Sequence, residues 1–159
     1  MRWWRLSRYD PALRDTKGRF VHDVWTSIGD VGKTFDGTAL TMDAYLDVEA
    51  AMVAAVQAFH RDCGRPALRL VGVEGHPPRF VDGATVVTAD EIADVVRACL
   101  REEQWCRLEA PDKSCRFHFG YDYYVYLGGL AAPTTLLRML ASLGLFCEPS
   151  ARSPVEDAG

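Results

Sequence analysis

No apolar run in the chain approaches the ~20 residues of a membrane-spanning helix, which excludes an ordinary transmembrane segment. The basic start, Met1-Arg2-Trp3-Trp4-Arg5-Leu6-Ser7-Arg8, lacks the long apolar stretch and small-residue cleavage site of a signal peptide, so a cytoplasmic location is expected. Cysteine is sparse and unpatterned. The five, Cys63, Cys99, Cys106, Cys115 and Cys147, are odd in number and show no C-x-x-C, which favours reduced core thiols over a disulfide framework or zinc. The four histidines, His22, His60, His76 and His118, show no H-x-H or H-E-x-x-H spacing, so no metal is expected. Neither a repeat nor a G-x-S-x-G elbow is present. The net charge is −4 and the pI about 5.5, which disfavours nucleic acid and anionic membranes and accommodates a basic partner.

What is present suits a folded domain. The 159 residues are 48% hydrophobic and 25% charged, ordinary values for one soluble core. Arg2 to Tyr9 reads as a strand and Phe20 to Trp25 as a short extended segment, with one or two helical turns in Thr26 to Phe35. Thr41 caps a predicted helix from Met42 to about Asp62, with Tyr45, Val48, Met52, Val56 and Phe59 as its apolar stripe and Gly64 beyond its end. Ala67 to Val73 reads as a strand. Thr88 and Glu91 form a capping box for a helix from Ala89 to about Glu102. Trp105 to Ala110 and Cys115 to Leu127 form a hairpin across Pro111-Asp112-Lys113-Ser114. Pro133 opens a last helix to Leu143, and Leu145 to Glu148 reads as an edge strand. This order predicts an α+β fold, a mainly antiparallel sheet with about three helices on one face. Residues 1–149 are expected to form the domain and 150–159 a flexible tail.

The richest stretch is Phe117 to Leu127. Read as one strand, it puts Phe117, Phe119, Tyr121, Tyr123, Val125 and Leu127 on a core face. His118, Gly120, Asp122, Tyr124 and Tyr126 fall on the other face, joined across the hairpin by Trp105, Arg107 and Glu109. Tyr, Trp and Arg carry interface hot spots, so Arg107, Glu109, His118, Asp122, Tyr124 and Tyr126 are candidate partner-binding residues. The competing reading is a second core layer with tyrosine hydroxyls at its rim. A second candidate is the acidic Ile28–Glu49 region, with Asp30, Asp43 and Asp47. A homodimer through the strand face is a further possibility.

Ser27-Ile28-Gly29-Asp30-Val31-Gly32-Lys33-Thr34 nearly spells a phosphate-binding loop, with Ser27 where glycine is needed. Asp36-Gly37 interrupts the helix that such a loop requires, so a structural turn is expected and no cofactor. Enzymatic or ligand-binding chemistry would centre on His118 and Asp122, in a pocket beside the Gly29–Phe35 loop.

Two segments, Trp25-Thr26-Ser27-Ile28-Gly29-Asp30-Val31-Gly32 and Phe119-Gly120-Tyr121-Asp122-Tyr123-Tyr124-Val125-Tyr126, resemble patterns in small bacterial immunity proteins, which neutralise secreted or contact-delivered toxins by tight binding. The resemblance implies a cytosolic, non-enzymatic α+β binder that occludes a toxin's active site. It assigns no residue roles.

Overall fold

The structure is a computed structural model and describes residues 1–153. The elements run β1 (Arg2–Ser7), β2 (Thr34–Phe35), β3 (Thr38–Ala39), α1 (Met42–Asp62), β4 (Leu68–Glu74), β5 (Thr85–Val86), α2 (Ala89–Leu100), β6 (Trp105–Glu109), β7 (Cys115–Phe119), β8 (Val125–Gly129), α3 (Thr134–Leu143) and β9 (Phe146–Ser150). Seven strands make an antiparallel sheet in the order β5-β4-β6-β7-β8-β1-β9, and β2 pairs with β3 apart from it. The fold is α+β with a mainly antiparallel sheet.

Local chemistry sets the helix starts. Thr41 Oγ1 accepts from the Ala44 amide at 3.1 Å, and Thr88 and Glu91 complete the reciprocal capping box, each cap satisfying amides that have no helical partner. The third start is capped from a distance. Asp62, ending α1, accepts from the Thr135 amide at 2.9 Å and the Leu136 amide at 3.1 Å. Gly144 closes α3 with φ of 64°, a left-handed turn that glycine adopts without a Cβ penalty.

The helices bury against one face of the sheet. Phe59 of α1 meets Trp4 at 5.7 Å and Phe117 at 5.8 Å between ring centroids, both edge to face. Each such pair adds roughly 0.5–1.5 kcal/mol beyond its buried area. Gly129 makes room for Phe59, because a Cβ there would lie 2.8 Å from the ring. Ile92, Val95 and Val96 of α2 and Leu136 of α3 join the same core. Glu49, the last residue of the acidic Ile28–Glu49 region, is instead on the buried side of α1 and takes a two-pronged ion pair from Arg101, both bonds 2.7 Å.

Two expectations change. Cys115 to Leu127 is not one strand: β7 ends at Phe119 and β8 begins at Val125. The intervening turn holds Asp122 at φ 58° and Tyr123 at φ 66°, a conformation costly for both residues. Aromatic packing offsets that cost. Tyr123 is buried between Trp25 and Tyr45, at 5.2 and 5.9 Å, and the Tyr9 hydroxyl donates to the Asp122 carbonyl at 2.7 Å. The solvated tail does not start at residue 150 either. Ser150 belongs to β9 and Ser153 is fully buried. The rest of the expected tail, residues 154–159, lies outside the described residues.

Candidate functional site

Residues directly paired across antiparallel strands point to the same side, so the register gives the sheet face opposite the helices. One row reads Val71, Arg107, His118, Tyr126, Arg5, Glu148. The next reads Arg69, Glu109, Arg116, Gly128, Trp3, Ser150. Four arginines thus share two rows with two glutamates.

Each glutamate organises its neighbours. Glu109 lies 3.2 Å from His118 Nε2, 3.6 Å from Arg107 Nε and 4.0 Å from Arg116 Nε. The His118 hydrogen bond, and then these arginines, hold its carboxyl below the usual carboxylate range. Glu148 receives Arg14 through two bonds of 2.7 and 2.8 Å and Arg5 through one of 3.1 Å. Its carboxyl is lowered chiefly by the Arg14 bond. Arg5 in turn lies over the Tyr124 ring, 4.9 Å from its centroid. Tyr124 packs edge to face on Tyr9 at 5.4 Å. Arg5, Arg107, Tyr124 and Tyr126 all remain half-buried.

Part of the face is a second core layer. The Trp3 ring lies over Gly128, where a Cβ would come within 2.8 Å of it, and meets His118 at 4.8 Å. His118, expected to be exposed, is 0% exposed. Its Nδ1 lies 2.8 Å from Ser153 Oγ. An ionised Glu109 can only accept, so Nε2 carries the proton, and in the neutral ring Nδ1 accepts from the Ser153 hydroxyl. Serine, histidine and glutamate are therefore in sequence, as in a hydrolytic triad. Yet Ser153 is 0% exposed, so no substrate can reach its oxygen. The arrangement pins the chain after β9 to the sheet.

Of the predicted residues, Arg107, Glu109, His118 and Tyr126 come together, with Tyr124 alongside. Asp122 does not join them: it is exposed in the β7–β8 turn, and no hydrogen bond links it to His118 among the described residues. The acidic set lies on the helix side. Asp30 accepts from the Thr26 amide at 2.9 Å and pairs with Lys33 at 2.8 Å, which folds the loop onto itself. The phosphate-loop lookalike is accordingly a turn, Ile28–Asp30, followed by a strand and not by a helix. Asp43 and Asp47 are exposed on the outer side of α1, beside exposed Met42 and Leu46.

Sequence reasoning missed Trp3, Arg5, Arg14, Arg116, Glu148 and Ser153. Period-two alternation with His118 marks Arg116, and alternation with Trp4 and Leu6 marks Trp3 and Arg5. Arg14, Glu148 and Ser153 carry no local signal. A cleft of about 340 Å³ lies away from this face, beside Arg61 and Thr88, and one of about 440 Å³ opens at its β1–β9 edge, lined by Arg2 and Pro149 and by Trp3 and Ser150 of the second row. Among the described residues no group of His, Cys, Asp and Glu is placed to hold a metal, and no helix is long and apolar enough to cross a membrane. No protein-family model matches the chain, and no curated protein or solved structure matches it.

Proposed function

We propose that the chain is a protein-binding domain of the immunity type, a bacterial cytoplasmic protein that neutralises a toxin by covering its active site. The observation that carries this reading is the row Arg107, Tyr126, Arg5 on a sheet face that none of the three helices of the described residues covers. Its arginines are already held in place by Glu109 and Glu148. Fixing such side chains before binding reduces the entropy lost on association, and tyrosine and arginine are the residues that concentrate interface energy.

The sign of the face refines the partner. Arg5, Arg69, Arg107 and Arg116, with Arg14 reaching in to Glu148, outnumber Glu74, Glu109 and Glu148. The surface that docks here carries carboxylates, even though the whole chain is acidic. A basic toxin surface fits the other candidate, Asp43 and Asp47 with Met42 and Leu46 on α1. The two surfaces lie on opposite sides of the sheet and make separable predictions. Arg107→Ala with Tyr126→Ala weakens binding through the sheet face, and Asp43→Asn with Asp47→Asn weakens binding through α1. Loss of the partner in the second pair and not the first overturns the sheet-face assignment.

The enzymatic reading around His118 and Asp122 loses its geometric basis. The histidine is buried against Trp3 and Ser153, and the aspartate sits in a turn.

A further inference from the structure

Four of the five cysteines stand in pairs that join a helix to the sheet, a feature the binding role does not use. We propose that Cys63 and Cys115 are a redox-active thiol pair that closes to a disulfide when a low-molecular-weight disulfide is the oxidant.

The placement follows from the register. Cys115 opens β7 directly opposite Gly129 of β8. Cys63, the residue just after α1, has its sulfur 3.4 Å from where a Gly129 Cβ would stand. The glycine leaves the space into which the Cys63 sulfur leans, beside its cross-strand neighbour Cys115. Exposure divides the roles, and the contact between the thiols acts the same way, pushing Cys115 up and drawing Cys63 down. Cys63 is the exposed member, half-buried where Cys115 is fully buried.

The chemistry balances in two steps. The Cys63 thiolate attacks one sulfur of the small disulfide, forming a mixed disulfide and expelling one small thiolate. The Cys115 sulfur, its proton passing to that thiolate or to solvent, then attacks Cys63 Sγ and expels the second. Two protein S–H bonds are lost, one S–S bond forms, and the oxidant leaves as two thiols.

Cys99 and Cys106 are an internal control. Their sulfurs lie 3.7 Å apart between α2 and β6, yet both are buried and offer an oxidant no approach.

The test uses the full chain in its folded state, incubated with oxidised glutathione, quenched by alkylation, and read by intact mass and peptide mapping. The expected product has lost two hydrogens and contains one cross-linked peptide pair, Cys63 with Cys115, while Cys99 and Cys106 alkylate only after denaturation. Cys115→Ala stops at a lasting glutathione adduct on Cys63, and Cys63→Ala takes up neither. A wild-type protein that stays fully reduced, that keeps glutathione on Cys63, or that links any other pair overturns the proposal. The wild-type map decides the matter even where a variant fails to fold.

Discussion

Replacing Gly128 by alanine tests whether Trp3 truly closes over the sheet. The backbone at Gly128 is not in the left-handed region, so alanine is compatible with it. The difficulty is space. The new Cβ would lie 2.8 Å from two carbons of the Trp3 ring and 3.0 Å from a third. The ring must retreat by roughly half an ångström or more to restore van der Waals contact. It is 6% exposed and packed against His118 at 4.8 Å, so it has nowhere to retreat without opening the histidine's cover. Overpacking of this kind costs about 1–3 kcal/mol. For a chain of this size, that lowers the melting temperature by roughly 3–10 °C. Thermal unfolding followed by circular dichroism reads the shift. The second half of the experiment places the same substitution in a Trp3→Ala background. Trp3→Ala alone costs about 3–5 kcal/mol, but it removes the obstacle. There Gly128→Ala becomes neutral or stabilises by about 0.4–1 kcal/mol, through the less flexible unfolded chain. Equal costs in both backgrounds would refute the claim that Trp3 and Gly128 fit together.

Other consequences are as direct. Arg101→Ala strands the buried Glu49 carboxylate, and the expected loss is about 3 kcal/mol or more; chemical denaturation showing a change under about 1 kcal/mol would contradict it. Glu109→Gln tests linkage. The folded Glu109 carboxyl is held below the ordinary value of 4.5. Its stabilisation is therefore complete above that value and is lost as pH falls through the lower folded one. The stability gap between wild type and Glu109→Gln, measured in urea, narrows from about pH 7 to about pH 3; a constant gap would show that the charge contributes nothing. Asp62→Ala uncaps α3 at a cost of about 1 kcal/mol, with lost hydrogen-exchange protection confined to its first turn. Uniform loss across the protein would argue against a local cap.

What the sequence revealed was local. Thr88 and Glu91 stand three residues apart and specify a helix start by themselves, as does Thr41 before the stripe from Tyr45 to Phe59. The cap on α3 was illegible because Asp62 and Thr135 are 73 residues apart. The burial of Glu49 was illegible for the same reason, its partner being 52 residues away. The break between β7 and β8 was hidden by chemistry of another kind. Alternation continues through Tyr121-Asp122-Tyr123 with no turn-forming pair such as Asn-Gly. The left-handed backbone there is held by the burial of Tyr123 against Trp25 and Tyr45, which no local rule contains. At the candidate site, alternation correctly grouped Arg107, Glu109, His118 and Tyr126 but could not show depth. Trp3 and Ser153 cover His118, and both reach it from strands or segments distant in the chain.

The central claim, that the sheet face opposite α1, α2 and α3 is a protein-docking surface, is tested most directly by a paired purification. Tagged wild type and the Arg107→Ala, Tyr126→Ala double variant are expressed in the native host and isolated under moderate salt, after circular dichroism shows both to be folded. The account predicts a stoichiometric polypeptide with the wild type that is lost from the double variant and retained by Asp43→Asn, Asp47→Asn. The same polypeptide bound equally by the double variant would contradict it.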